Sequence, residues 1–201
     1  GAVAESLNLR VLSVAEDLPN RRITEWFIKT RAAFGIDLLV HGRGSTMTAL
    51  TQALEEGQVV ALVADRDVNR RGVPVEFFGE MTTMPAGPCS LVEMTGAALF
   101  PVGSYYYGPG YFFEVHPEQP LPDGKDRAKR IQHGTQALAR EFEAIIRAQP
   151  TSWHLFQPNW PSDALLEEDP DCESDLSPRT TSAGGWVSRT RSSGSQVGCE
   201  K

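Results

Sequence analysis

The stretch Ala64-Asp65-Arg66-Asp67 sits at the end of the apolar run Val59–Val63 and continues into Arg70-Arg71-Gly72-Val73. Two carboxylates and three arginines are thus packed where a buried strand should stop. In open α/β sheets, ligands bind outside the carboxyl ends of the strands. Acid–base residues and anion binders at such a place point to a reaction on an anionic substrate. The competing reading is a solvated, salt-bridged turn. Glu16-Asp17 ends an earlier apolar run in the same way, so two strand ends carrying carboxylates could share one crevice. Taken singly, each acid reads as a helix-entry or solvated turn residue. Arg31 lies four residues after Phe27 and three before Phe34, flanking a helical apolar stripe. Its head group either snorkels to water or is held over a cleft to meet an acid or a phosphate.

Neutral-pH base chemistry most often uses histidine, and the four histidines do not join this charged rim. His41 ends a strand beside Gly42 and Gly44, His116 precedes Pro117, His133 lies in a helix, and His154 lies between Trp153 and Leu155. None has an acid one turn away on its own helix. Cys89 and Ser90 lack the glycine-flanked elbow of a hydrolase nucleophile, and no phosphate-cradling glycine loop is present.

The elements that must position these residues alternate along the chain. Leu9–Ala15 reads as a buried strand. Asn20 caps a helix over Arg21–Phe34 with Ile23, Phe27, Thr30 and Phe34 on one face, and Gly35 stops it. Asp37–His41 is the next strand, Ser45 or Thr46 opens a helix that ends at Gly57, and Gln58–Val63 is the third strand. Such alternation predicts an α/β fold, a central mainly parallel sheet with helices on both faces. After Val73–Gly79, Pro85 opens a helix running to about Thr95. Ala97–Tyr107 and Tyr111–His116 read as strands about the turn Gly108-Pro109-Gly110. The aromatic runs Tyr105–Tyr107 and Tyr111–Phe113 fit a hairpin packed on a core, or a surface facing lipid. Asp126–Ala148 is a long amphipathic helix with Ile131, Leu138, Phe142 and Ile145 as its stripe.

The chain has 201 residues and a net charge of −7. The charge is uneven, with eight acids against four bases in residues 161–201 and a near balance before that. The folded part is therefore no nucleic-acid binder by charge. Three scattered cysteines fit a reducing compartment and no metal spacing. No stretch is apolar enough to span a bilayer, and no signal peptide is visible. The domain division expected is a folded domain over 1–162 and a disordered acidic and Ser-rich tail over 163–201. Position 1 is Gly, and Ala2–Leu7 reads as the later part of a helix, as if the sequence enters an α/β protein midway.

Val63–Asp67 followed by Arg71-Gly72-Val73-Pro74-Val75-Glu76-Phe77-Phe78-Gly79 resembles the bacterial lipid acyltransferases of the lipid A lauroyl transferase type. Three later pieces agree in order: Met84–Pro88, then Thr95–Val102, then Trp153-His154-Leu155-Phe156-Gln157-Pro158-Asn159-Trp160. Within that family the chain looks most like the actinobacterial phosphatidylinositol mannoside acyltransferases, and Val14-Ala15-Glu16 leading to Arg31 fits that branch. The resemblance covers about residues 9–160.

The resemblance implies a glycerolipid acyltransferase-like fold docked peripherally on the cytoplasmic face of the cell membrane. It implies transfer of a fatty acyl group from acyl-CoA or acyl carrier protein to a glycolipid hydroxyl, with no cofactor beyond that co-substrate. A His-x4-Asp/Glu motif supplies the base, and a carboxylate at Asp65 supports it, in place of the longer Glu of that branch. By the same resemblance, Glu16 and Arg31 bind substrate, and Arg70 and Arg71 meet CoA. The motif belongs upstream of Leu9, and none of the four histidines replaces it. The competing function is a non-catalytic acyl-CoA or lipid-binding module, or an inactive truncated product.

Overall fold

The computed structural model describes residues 9–40 and 45–165, and those up to Ala164 form one unit by their contacts. The expected tail over 163–201 and the expected strand end at His41 therefore lie largely outside the described residues.

Among the described residues, seven strands and four α-helices follow in the order β1 (Val11–Ala15), α1 (Arg21–Ala32), β2 (Ile36–Val40), α2 (Thr46–Glu55), β3 (Val59–Ala61), β4 (Val73–Phe77), β5 (Glu80–Met84), α3 (Gly87–Thr95), β6 (Val102–Tyr107), β7 (Gly110–Val115) and α4 (Arg127–Ala148). Short 3-10 turns at Pro150–Ser152 and Pro161–Leu165 follow α4. The alternation expected of β1 to β3 is present, and these strands form a parallel sheet in the order β2-β1-β3. The central, mainly parallel sheet expected is thus present only as these three strands. The last four strands make two separate antiparallel hairpins, β4-β5 and β6-β7. The architecture is mixed α/β with a small parallel sheet.

Local chemistry explains most boundaries. The Asn20 side chain accepts from the Arg22 amide at 3.1 Å and starts α1. Asp126 accepts from the Ala128 and Lys129 amides and starts α4. Helix α1 is turned away from the expected face. Ile23 and Phe34 are exposed, whereas Thr24 is buried with its hydroxyl accepting from the Leu18 amide at 3.2 Å. That bond satisfies a donor the loop would otherwise leave unpaired, which fixes the roll of the helix. Helix α3 starts at Gly87 with Pro88, not Pro85, in its first turn.

The β4-β5 hairpin turns through Phe78 and Gly79, with φ of 54° and 84°. Two consecutive left-handed residues match the twist of the flanking strands. Phe78 is an uncommon residue in that region. Its amide donates to Glu143 Oε1 at 2.7 Å, and its ring lies under the Arg147 guanidinium at 4.9 Å. Gln136 completes the lacing of α4 to this hairpin. It accepts from the Glu76 amide and donates to the Glu76 carbonyl, both at 2.8 Å, as a neighbouring strand would.

Two cores result. One gathers Val75, Phe77, Met84, Ala139 and Ile146, with Trp153 and Trp160 packed against it. The other joins the parallel sheet to the helices through Leu12, Leu50, Ala53 and Leu91. Leu138 and Ile145 of the expected α4 stripe are buried; Ile131 and Phe142 are half-buried. The aromatic runs form β6 and β7. There Tyr105 is buried with its hydroxyl donating to the Ile145 carbonyl at 3.4 Å, while Tyr106, Tyr107, Tyr111, Phe112 and Phe113 remain exposed.

Candidate active site

Strands β1 and β3 run parallel with Ser13 opposite Ala61. Glu16 and Ala64, each three residues further on, therefore leave the sheet at the same edge. This edge is the one expected to bind ligand in a parallel sheet. The chain then passes through Asp65–Asp67, whose two carboxylates do different things.

Asp67 builds the turn. Its Oδ2 accepts from the Gly72 amide at 2.6 Å and from the Thr83 hydroxyl at 2.8 Å, which ties the 67–72 loop to β5. The Arg70 amide donates to the Asp67 carbonyl at 3.3 Å, and Arg70 sits at φ 50°. Gly72 is required by proximity, because a Cβ there would overlap the Met84 carbonyl and crowd Asp67 Oδ2.

Asp65 instead lines a cavity of about 740 Å³. Its lining is mainly apolar, drawn from Val59 to Ala64, Ala97 to Val102, and residues of α3 and α4 such as Leu91, Leu138 and Ile145. Asp65 Oδ2 accepts from the indole Nε1 of Trp153 at 2.7 Å, and Trp153 lines the same cavity. A mainly apolar cavity with a carboxylate in its lining suits a ligand with an aliphatic chain and a polar reacting end.

The arginines lie elsewhere. Arg70 Nη2 donates to the Pro158 carbonyl at 3.4 Å, so this exposed side chain reaches the closing segment. There Asp163 Oδ2 accepts from the Trp160 and Asn159 amides at 2.9 and 2.7 Å. Those two bonds, led by Trp160, hold the Asp163 carboxyl below its ordinary range, and the Arg70 charge adds to them. Arg71 is exposed beside Gly72. Arg31 lies in the last turn of α1, leading into the start of β2, with its guanidinium 5.0 Å over the Phe27 ring. The structure thus brings Glu16 to the same sheet edge as Asp65 and leaves Arg31 outside the cavity lining.

Among the described residues no histidine touches Asp65. His116 lies between Glu141 Oε2 at 3.4 Å and Glu114 Oε2 at 3.8 Å, on the β7–α4 side. His154 packs near Tyr106 and Phe156, His133 is exposed on α4, and His41 lies outside the described residues. No group of three or more His, Cys, Asp or Glu able to hold a metal occurs among the described residues. Trp153 is the site residue that residue-by-residue reasoning missed. It lies 88 positions from Asp65, and no local pattern joins a tryptophan to a carboxylate at that separation.

The family model for bacterial lipid A biosynthesis acyltransferases matches residues 8–162. The chain belongs to that family. Its sequence is 39% identical over 153 residues to a phosphatidylinositol mannoside acyltransferase of Mycolicibacterium smegmatis, covering 75% of this chain and 49% of that protein. It is equally similar to the phosphatidylinositol mannoside acyltransferase of Mycobacterium tuberculosis (strain H37Rv), of which 47% is covered. The chain spans about half the length of the curated relatives it matches. The match takes in every element from β1 to Trp160, so the cavity lined by Asp65 belongs to the family domain. No helix among the described residues is long and apolar enough to cross a membrane.

Proposed function

We propose that this chain is part of an acyltransferase that moves a fatty acyl group from acyl-CoA to a hydroxyl of a phosphatidylinositol mannoside-like glycolipid. The observation that carries this reading is Asp65 at the wall of the apolar 740 Å³ cavity. The relatives named phosphatidylinositol mannoside acyltransferase support the choice of acceptor.

A histidine from a His-x4-Asp/Glu motif, outside these 201 residues, takes the proton from the acceptor hydroxyl. The alkoxide oxygen attacks the thioester carbonyl, the C–S bond breaks, and the CoA thiolate leaves and recovers the proton. Asp65 orients the histidine and stabilises its charged form, the part played by the third group of a triad. The acyl chain lies in the mainly apolar cavity. Arg70 and Arg71, exposed on the loop after Asp67, meet the CoA phosphates, where charge-assisted bonds are strongest. Glu16 accepts from acceptor hydroxyls at the shared sheet edge, and Arg31 binds polar groups of the substrate from further out. The enzyme works peripherally, at the cytoplasmic face of the membrane, and needs no cofactor beyond its co-substrate.

Acyl transfer from palmitoyl-CoA by a polypeptide carrying these residues with their upstream extension tests the reading. Loss of turnover on Asp65→Ala is expected, and an unaltered rate sinks the assigned role. A second reading, a non-catalytic acyl-CoA-binding module, draws on the lack of a histidine at Asp65 among the described residues. It predicts that the 201 residues bind palmitoyl-CoA and that no extension confers turnover.

A further inference from the structure

We infer that Trp153 is the positioning residue for Asp65, an inference that rests on the proposed role of that carboxylate. Asp65 stands at the wall of a mainly apolar cavity, on a stretch that has already left β3. A short carboxylate in that place needs a fixed partner if one oxygen is to stay aimed at a base. The indole N–H is a donor only, and at 2.7 Å from Oδ2 it takes one of the two oxygens. Oδ1 has no protein partner among the described residues, and it is the oxygen left for the base.

The donor is itself held. Trp153 packs edge-on to Phe77 at 6.2 Å and Trp160 at 6.3 Å, and stacks with Phe78 at 6.3 Å. Its amide donates to the Pro150 carbonyl at 3.1 Å, closing a 3-10 turn. That turn is stapled to β6 on both sides of Tyr106. The Tyr106 amide donates to Ser152 Oγ at 3.2 Å, and Gln149 Nε2 donates to the Tyr106 carbonyl at 3.1 Å. The orientation of Asp65 is therefore set from β6 and the end of α4, through one indole. Packing alone would be met by any large aromatic ring; the N–H would not.

The first measurement uses the 201-residue chain and its indole ¹H–¹⁵N signals, with the Trp153 signal assigned by through-bond correlation to its own backbone amide. Asp65→Ala is expected to shift that signal and speed its exchange with solvent. A Trp153 signal unmoved by Asp65→Ala overturns the inference. This arm keeps Trp153 in place, so it decides the matter even where Trp153→Phe fails to fold. The second measurement uses the longer, active polypeptide. There Trp153→Phe is expected to lower kcat by up to on the order of 10²-fold, the scale of a small misplacement, with KM for palmitoyl-CoA unchanged. An unchanged kcat for Trp153→Phe beside a lost one for Asp65→Ala overturns the inference alone. An unchanged kcat for Asp65→Ala overturns the function reading first, and the positioning role with it.

Discussion

The Gly72 amide lies 2.6 Å from Asp67 Oδ2, inside a loop that cannot accommodate a side chain at position 72. One carboxylate thus closes the turn that follows the other carboxylate's cavity. Asp67→Ala leaves the Gly72 amide and the Thr83 hydroxyl without their acceptor. It should cost about 1–3 kcal/mol of stability, read as a lower urea midpoint with unchanged slope. Gly72→Ala should destabilise as well, because the new Cβ meets backbone at Met84 rather than a side chain able to move away. Equal stability of Asp67→Ala and the parent would show that the turn does not depend on this acceptor.

Phe77 is fully buried, stacks on Trp160 with ring centroids 5.7 Å apart, and has its carbonyl capped by Trp160 Nε1 at 2.8 Å. Phe77→Ala should cost about 3–5 kcal/mol through lost burial and the cavity left behind. Chemical denaturation checks this, and a loss below about 1 kcal/mol would mean that the closing aromatic segment collapses into the gap.

Asp163 holds the segment 159–163 through two backbone amides, and its carboxyl is depressed below 3.8. A depressed carboxyl stabilises the fold at pH values above 3.8, and that stability is lost as pH falls through the lowered value. Asp163→Asn should therefore lower the melting temperature at pH 6, with the gap closing as the pH falls below 3.8. A gap independent of pH would show that charge is not what the two amides recognise.

Cys89 is buried, and desolvation pushes its thiol above the ordinary value of 9.0. The thiolate is the reactive form. Alkylation at pH 8 followed by peptide mass spectrometry should find Cys89 unmodified in the native chain and modified in urea. Rapid native labelling would place it on an accessible surface instead.

Much of this was legible in the linear sequence. Apolar runs of the right length alternating with capped amphipathic segments specify β1 to β3 and α1 to α4, and the Asn20 and Asp126 caps act through amides two or three residues away. Short-range features of this kind survive without the rest of the chain. The β4-β5 hairpin was not legible as a hairpin. Pro74 argues against a strand unless that strand is an edge, and Phe78 takes a left-handed turn position that its residue type rarely adopts. Pro74 is tolerated because a two-stranded hairpin has only edge strands, and Phe78 is held by Glu143 and Arg147, sixty or more residues away. The mainly parallel sheet expected from the alternation likewise does not extend beyond β1 to β3, because pairing between strands is a long-range choice that strand propensity does not encode.

By itself the sequence determined that carboxylates and arginines cluster where the third strand ends, and its motifs carried the family resemblance. Only the tertiary structure separated the carboxylates. Asp67 turns to a backbone amide five residues on and becomes part of the scaffold. Asp65 meets an indole 88 residues on and becomes part of a cavity wall. Two aspartates two positions apart are chemically equivalent as letters in a sequence. What distinguishes them is which donor packing brings within hydrogen-bond reach, and that is decided by the whole fold.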